Sequence, residues 1–341
     1  MKQLRIILLI ALVFISGGKI MAKEPVLAFT VDLLAGTDVY FRTADWQAYP
    51  EEIVPILARN YHANTLYVIY AGQLPEKQTI EAFKRWQDAA IKDGVEIIPV
   101  LSMVNSFLGL TRPELISGTI DKAGIGPMVD IKNPEVLAYY HNLAQAIDNE
   151  LKPKVFGVME FNDYSIAMAS DSYKRYKSDE LKHWWQNISE AVSGKPALTF
   201  MQPYGVKLKW LQGIERVSVD TYTFLWQEEW SELRAYIRDC VQYYPEVDAD
   251  LVILDDFGGK IIGARQKTAY KIMIEEGVTG LNLDLIITAA VARDQKGEDF
   301  WLDLLTDGSY DGFYAEGMEA VKEIYKEFRF KGKDLKRSYW V

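Results

Sequence analysis

Short apolar runs and amphipathic segments alternate along the chain, and that alternation restricts what it can fold into more than any other feature. The runs are VLAFTVDL (26–33), NTLYVIYA (64–71), VEIIPVLSM (95–103), KVFGVMEF (154–161), PALTFMQ (196–202), RVSVDTYT (216–223), DLVILDD (250–256) and GVTGLNLDL (277–285). Runs of this length, rich in β-branched residues, are what strands buried on both faces look like. Between most of them apolar residues recur at helical spacing: EEIVPILARNYH, IEAFKRWQDAAIKDG, PEVLAYYHNLAQAIDNEL, SYKRYKSDELKHWWQNISEAV, VKLKWLQGI, EEWSELRAYIRDCVQYY and IIGARQKTAYKIMIEEG. A last helical segment, GMEAVKEIYKEF, follows the eighth run. The pattern predicts the α/β class and a single (β/α)8 TIM barrel. A doubly wound open sheet would carry a Gly-rich turn after its first strand. The turn here reads DLLAGTDVYF, without GxGxxG. One loop, 104–133, separates the third strand from its helix and is longer than loops usually are without a function. In a barrel it sits on the C-terminal face, where active sites are built.

The C-terminal ends of the predicted strands share that face. They carry Asp32, Tyr70, Asn105, Glu160 with Asn162 and Asp163, Gln202 with Tyr204, Asp220 with Tyr222, Asp255 with Asp256, and Asn282 with Asp284. Carboxylates mark strands one, four, six, seven and eight. The opposite ends, with Lys154, Arg216, Val95 and Gly277, show no acidic cluster. Aspartate is also a good helix N-cap, which accounts for any one of these positions, Asp163 first. It accounts poorly for five strands together, and least well for Glu160 and Asp220 inside apolar runs. Aromatic residues follow the same ends: Trp46, Tyr204 and Trp210, Trp226 and Trp230, and Phe257. Sugar rings stack apolar faces on aromatic planes, and their hydroxyls need carboxylate and amide partners. The combination points to a carbohydrate substrate, although Trp210 and Trp230 also fit as helix core residues.

Other chemistries lack their residues. The formal net charge of -10 opposes nucleic-acid binding, which needs a basic footprint. His62, His141 and His183 all fall away from the strand ends. A histidine-ligated barrel metal site and a Ser–His nucleophile therefore both lack a necessary group. Lys207 and Lys260 lie in loops, a poor position for a Schiff base. Gly258-Gly259 resembles a phosphate cradle, but Asp255 and Asp256 directly before it would repel a phosphate dianion. Cleavage of a glycosidic bond needs two carboxyl groups, with no metal and no cofactor. Glu160 is the better acid, because apolar Met159 and Phe161 flank it and raise its pKa. Its partner is expected among Asp220, Asp255 and Asp256. A lyase or epimerase with a divalent cation, using Tyr70, Tyr204 or Tyr222 as acid–base, is an alternative.

Lys2 and Arg5 precede the apolar run IILLIALVFI, and Ala22 stands before KEPV. This is a signal-peptide layout, so residues 1–22 are expected to be removed and 23–341 to form the barrel. The apolar run is short for a membrane span, and no later run reaches the length of one. Cys240 is the single cysteine, which excludes an intramolecular disulfide and reads as buried filler in RAYIRDCVQYY. An exported chain without disulfides points to a bacterial periplasm or cell surface.

The segment VDIKNPEVLAYYHNLAQAIDNELKPKVFGVMEFND (129–163) resembles the approach to strand four in the TIM-barrel glycoside hydrolase superfamily. In the β-N-acetylhexosaminidases that strand ends in Asp-Glu. In the clan of β-glucosidases and cellulases it ends in Asn-Glu, with a Glu nucleophile on strand seven. The resemblance implies an exported glycoside hydrolase with Glu160 as general acid and Asp220 or Asp256 as the second carboxyl. Met159 stands where those families have Asp or Asn. The resemblance and the strand ends together give an expected binding set of Asp32, Tyr70, Asn105, Asn162, Asp163, Gln202, Tyr204, Tyr222, Trp226, Asp255 and Asp284. A carbohydrate-binding barrel without catalysis is the rival reading, and Met159 is the feature that favours it.

Overall fold

Strand–helix alternation becomes a closed ring in the computed structural model, which describes residues 24–33, 50–70, 74–103, 107–120, 126–159, 177–201, 213–252, 263–284 and 312–334. The elements are β1 (Val26–Asp32), α1 (Pro50–Tyr61), β2 (Thr65–Tyr70), α2 (Glu76–Lys92), β3 (Glu96–Leu101), α3 (Phe107–Thr111), a 3₁₀ turn (Pro113–Leu115), β4 (Ile116–Ile120) and β5 (Gly126–Val129). There follow α4 (Pro134–Leu151), β6 (Val155–Met159), α5 (Ser178–Ser189), β7 (Lys195–Met201), β8 (Arg216–Val219), α6 (Tyr222–Gln227) and α7 (Trp230–Tyr243). The last are β9 (Glu246–Asp250), α8 (Gly263–Glu276), β10 (Gly280–Asp284) and α9 (Gly312–Asp334). Around the barrel the order is β1, β2, β3, β6, β7, β8, β9, β10, every neighbour parallel, and β10 returns to β1 from Val26 opposite Gly280 to Thr30 opposite Asp284.

Local sequence explains the helices. In α2 the buried residues Thr79, Phe83, Trp86 and Ala90 recur at helical spacing, and the Trp86 indole N–H donates to the Leu33 carbonyl at 2.7 Å. Helix α4 begins where Asn133 accepts the Glu135 N–H at 2.9 Å and Pro134, which has no N–H, needs no acceptor. In α9 the Tyr325 hydroxyl donates to the Ala28 carbonyl at 2.6 Å, binding the last helix to the first strand. Cys240 is buried, as expected of filler. Among the described residues no helix is long and apolar enough to cross a membrane.

Two expectations change. The 104–133 segment is not a plain loop: its described residues form α3, the 3₁₀ turn and an antiparallel hairpin of β4 and β5. The hairpin is anchored just past the C-terminal end of β3, where Val129 N–H donates to the Met103 carbonyl at 3.1 Å. The seventh barrel strand also begins earlier than the apolar run 250–256. It is EVDAD, Glu246–Asp250, pairing Arg216 to Val219 of β8 with Glu246 to Ala249. Asp250 ends this strand instead of starting it. Leu251 and Val252 follow, buried, with Leu251 N–H bonded to the Asn282 carbonyl at 2.7 Å. The acidic alternation of EVDAD reads as a solvated face, but the partners for its carboxylates come from other strands.

Those partners fill the lower interior of the barrel. Tyr67 of β2 donates its hydroxyl to Asp248 Oδ2 across the interior. Arg216 Nε stands 3.8 Å from the same oxygen and also bonds Glu246 Oε2 at 2.9 Å, with Nη2 at 2.6 Å. Burial, then the Asp248 charge, pushes the Tyr67 phenol far above its ordinary range, so it acts as a donor. A side chain at Gly280 would overlap Asp248 Oδ1 and come within 2.7 Å of Val26 Cβ, so glycine here makes room for the carboxylate. Arg216→Met would leave a buried carboxylate without its cation, and a loss of roughly 3–5 kcal/mol is expected in urea unfolding. Gly280→Ala is expected to lose about 1–3 kcal/mol by overpacking, read in the same assay.

Candidate functional site

One layer above Asp248 lies a second polar layer made of Thr30, Ser218, Asp250 and Asn282, each at most 1 % exposed. Strand alternation puts them there: each is two residues further along its strand than an inward position of the layer below or in register with one. Asn282 is the hub. Its amide Nδ2 donates to Thr30 Oγ1 at 2.9 Å and to Asp250 Oδ1, and lies 3.4 Å from Ser218 Oγ. Thr30 Oγ1 returns a bond to Asn282 Oδ1 at 3.2 Å, and Ser218 Oγ donates to Asp250 Oδ1 at 3.3 Å. Burial drives the Asp250 carboxyl well above the ordinary carboxylate range. The Asn282 and Ser218 bonds oppose that rise, and the negative charges of Asp284 and Asp248 add to it.

The next level is the C-terminal rim. Asp284 is the last residue of β10 and the register partner of Thr30, and Asp220 directly follows β8; both are buried. Asp32 is the last residue of β1. Acidic residues therefore close strands one, six and eight of the ring. Asp220 is also engaged locally: its Oδ1 accepts the Tyr222 N–H at 2.9 Å at the start of α6. Asp220 stands before Thr221, the N-cap of α6, and its bond to the Tyr222 N–H closes an Asx turn into that helix, a local role that the sequence argued against. Thr221 beside it donates its hydroxyl to the Asp250 carbonyl at 2.6 Å, tying the rim to the layer beneath.

Tyr222 and Trp226 lie one turn apart on α6, the first buried and the second 43 % exposed. Arg265 of α8 fixes this helix, donating Nη1 to the Trp226 carbonyl at 2.9 Å and pairing Nη2 with Glu228 at 2.6 Å. Trp230 packs against the core from α7, the alternative allowed for it. Tyr70 does not join the rim. Its ring is buried and its hydroxyl lies 3.3 Å from that of Tyr139 on α4. Tyr67 faces the interior, so a residue three further along the same strand faces the helices. All six residues of TLYVIY are buried, so hydropathy could not separate the two faces. Asn105, Glu160, Asn162, Asp163, Gln202, Tyr204, Asp255 and Asp256, with Trp46, Trp210 and Phe257, lie outside the described residues. Among the described residues no group of three His, Cys, Asp or Glu side chains is arranged to hold a metal ion.

The sequence reading passed over Tyr67, Arg216, Asp248 and Asp250 as interior groups. A signal for them was present: RVSVD and EVDAD alternate polar and apolar residues in step, and the structure pairs these two segments.

No protein-family model matches the chain, and no curated protein matches it in sequence. Solved structures do match in fold. One is PbGH5A, a glycoside hydrolase family 5 enzyme from Prevotella bryantii B14 in complex with a xyloglucan tetradecasaccharide. Its TM-score is 0.55 at 11 % identity, covering 89 % of this chain and 97 % of that one. Another is the GH5-4 broad specificity endoglucanase from Clostridium longisporum, with TM-score 0.54, 11 % identity, and coverage of 91 % and 98 %. At this identity the likeness is one of fold: the chain has the (β/α)8 barrel of these glycoside hydrolases.

The double role of Asp220 can be separated by substitution. Asp220→Ala removes the acceptor for the Tyr222 N–H, and a loss of about 1 kcal/mol is expected in thermal or urea unfolding. Asp220→Asn keeps an acceptor oxygen and should unfold close to wild type.

Proposed function

We propose that this chain is a carbohydrate-active enzyme, a glycoside hydrolase that works through a pair of carboxyl groups at the C-terminal face of its barrel. The observation that carries the reading is the rim itself. Asp220 and Asp284 close two strands as buried acids above a hydrogen-bonded layer, and Asp220 leads into the helix of the exposed Trp226. Glycoside hydrolysis asks for one carboxyl that is protonated and one that is ionised, and the two environments must differ. The Tyr222 N–H bonded to Asp220 favours its charged form, which suits a base or nucleophile. Glu160 follows Met159, the buried last residue of β6, and precedes Phe161, so its apolar chain neighbours suit a general acid. Asp220 or Asp256 is the second carboxyl. Asp32, Asp255 and Asp284 bind sugar hydroxyls, and Trp226 offers a plane for a sugar face.

The barrel of the family 5 neighbours supports a saccharide substrate by analogy of fold only. The layout of residues 1–22 supports export, with action on glycans in the periplasm or at the cell surface. One observation favours a second reading, a barrel that binds carbohydrate without cleaving it: Met159 occupies the place of the Asp or Asn that precedes the acid in the families this segment resembles.

The test is release of reducing ends by residues 23–341 from a panel of plant, algal and host glycans, with Glu160→Gln alongside. Wild type is expected to release them and the variant to lose roughly 10²–10⁴-fold in rate. Equal activity in both would move the acid elsewhere on the rim. Binding by both proteins with no cleavage by either would establish the binding barrel instead.

A further inference from the structure

Two aspartates stand two residues apart on β9, both buried inside the barrel, and their partners differ in kind. Asp248 meets a cation, Arg216 at 3.8 Å, and the Tyr67 hydroxyl. Among the described residues the hydrogen bonds to the Asp250 carboxyl come from neutral groups, the Asn282 amide and the Ser218 hydroxyl, both on Oδ1. The charged and titratable groups among the described residues around it lie on several elements. Asp248 lies below it on its own strand, and Asp284 above it on β10. On β8, Asp220 belongs to the rim, and Arg216 is engaged by Glu246 and Asp248 in the lower layer. On β2 the Tyr67 hydroxyl is given to Asp248, and on α9 the Tyr325 hydroxyl is given to the Ala28 carbonyl. Among the described residues the nearest of these charges are therefore negative, and the Arg216 cation is already shared between Glu246 and Asp248.

We propose that Asp250 is a buried proton-binding site, a carboxylic acid held neutral at pH 7 inside the barrel, which lets Asp284 and Asp220 above it stand ionised at the rim. The physical reason is that like charges in a desolvated space cannot all ionise without a large penalty. A proton must reside on one of them. Asp248, at 0 % exposed, has the Arg216 cation beside it; of Asp250, Asp220 and Asp284, at 1 %, 7 % and 8 % exposed, Asp250 loses most by being charged. Oδ1 already accepts two bonds, so the proton sits on Oδ2. Asp250 is a positioning residue: it acts through the charge of the acids above it. The inference uses no property of sugars and stands apart from the carbohydrate reading.

Linkage makes it testable without a substrate. A carboxyl whose folded pKa is raised binds more protons in the folded than in the unfolded chain. Its contribution is fully present below the unfolded value of about 3.9 and is lost as pH rises towards the folded value. Asp250→Asn mimics the neutral acid and cannot ionise. Its unfolding midpoint should match wild type near pH 3 and gain on it by about 2 °C per pH unit from roughly pH 4 upward. A flat difference, or a variant that loses ground as pH rises, would overturn the proposal. The second outcome would mean an ionised Asp250 held by a cation. Should the variant fail to fold, infrared spectra of wild type carrying ¹³C-carboxyl aspartate decide the matter. A protonated-carboxyl band persisting at pH 7 is expected, and its absence rejects the site. In Asp284→Asn the band should vanish at a lower pH than in wild type, and an unmoved titration would sever the link to the rim.

Discussion

The contact between Arg216 and Asp248 inside the barrel is the constraint on which much of the rest depends. A closed parallel barrel normally fills its interior with branched apolar side chains. Here charged groups occupy the lower interior, and each is tolerable only because the others are in place. Arg216 comes from β8, Glu246 and Asp248 from β9, and Tyr67 from β2 on the other side of the ring. Gly280 of β10 supplies the missing volume. Four strands are thus held in one register by polar groups that bond one another inside the ring. A slip of one residue in β9 would turn its carboxylates towards the helices and its valine and alanine inward.

Polarity in the interior is graded from bottom to top. The lowest layer pairs opposite charges. The middle layer, centred on Asn282, joins four strands, β1, β8, β9 and β10, through neutral donors and one carboxyl. The rim carries acids at the ends of β1, β8 and β10. This order suits a site that opens at the C-terminal face, because the groups below bond one another across the interior while the acids stand at the strand ends. Thr221 and Asp220 connect the levels through the short helix α6, whose other end is fixed by Arg265. The rim geometry is therefore inherited from the packing beneath it and from the outer helices, and a substitution in either is expected to be felt there.

The barrel is a general scaffold, and chemistry on it is decided by the groups at the strand ends. The excursion after β3 illustrates how such a face is elaborated. It begins at Met103, folds its own hairpin and returns through Asn133 into α4, whose Tyr140 hydroxyl bonds the Ser102 carbonyl at 2.8 Å. The insertion is thus tied near its start and after its exit to the end of β3, and the ring pairs β3 directly with β6.

How much of this was legible beforehand can be judged residue by residue. The barrel could be read because alternation of strand and helix is written locally, in hydropathy at two different periods. The Asn133-Pro134 start of α4 could be read for the same reason, since capping involves neighbours in the chain. The acids ending β1, β8 and β10 could be read as a ring once the strands were placed. What could not be read was which face of a doubly buried strand looks inward. Tyr70 and Tyr67 are both aromatic and both buried in one strand, yet one packs against α4 and the other reaches Asp248. EVDAD alternates as a strand does, but that its acidic face lies inward could not be read, because that face is stable inside only if Arg216, Tyr67 and Asn282 arrive from elsewhere. By itself the sequence determined the class of fold and the acidic character of the strand ends, since both rest on short-range pattern. The tertiary structure alone decided the two polar layers beneath them, since a buried charge is permitted or forbidden by partners that closure of the ring brings from distant parts of the chain.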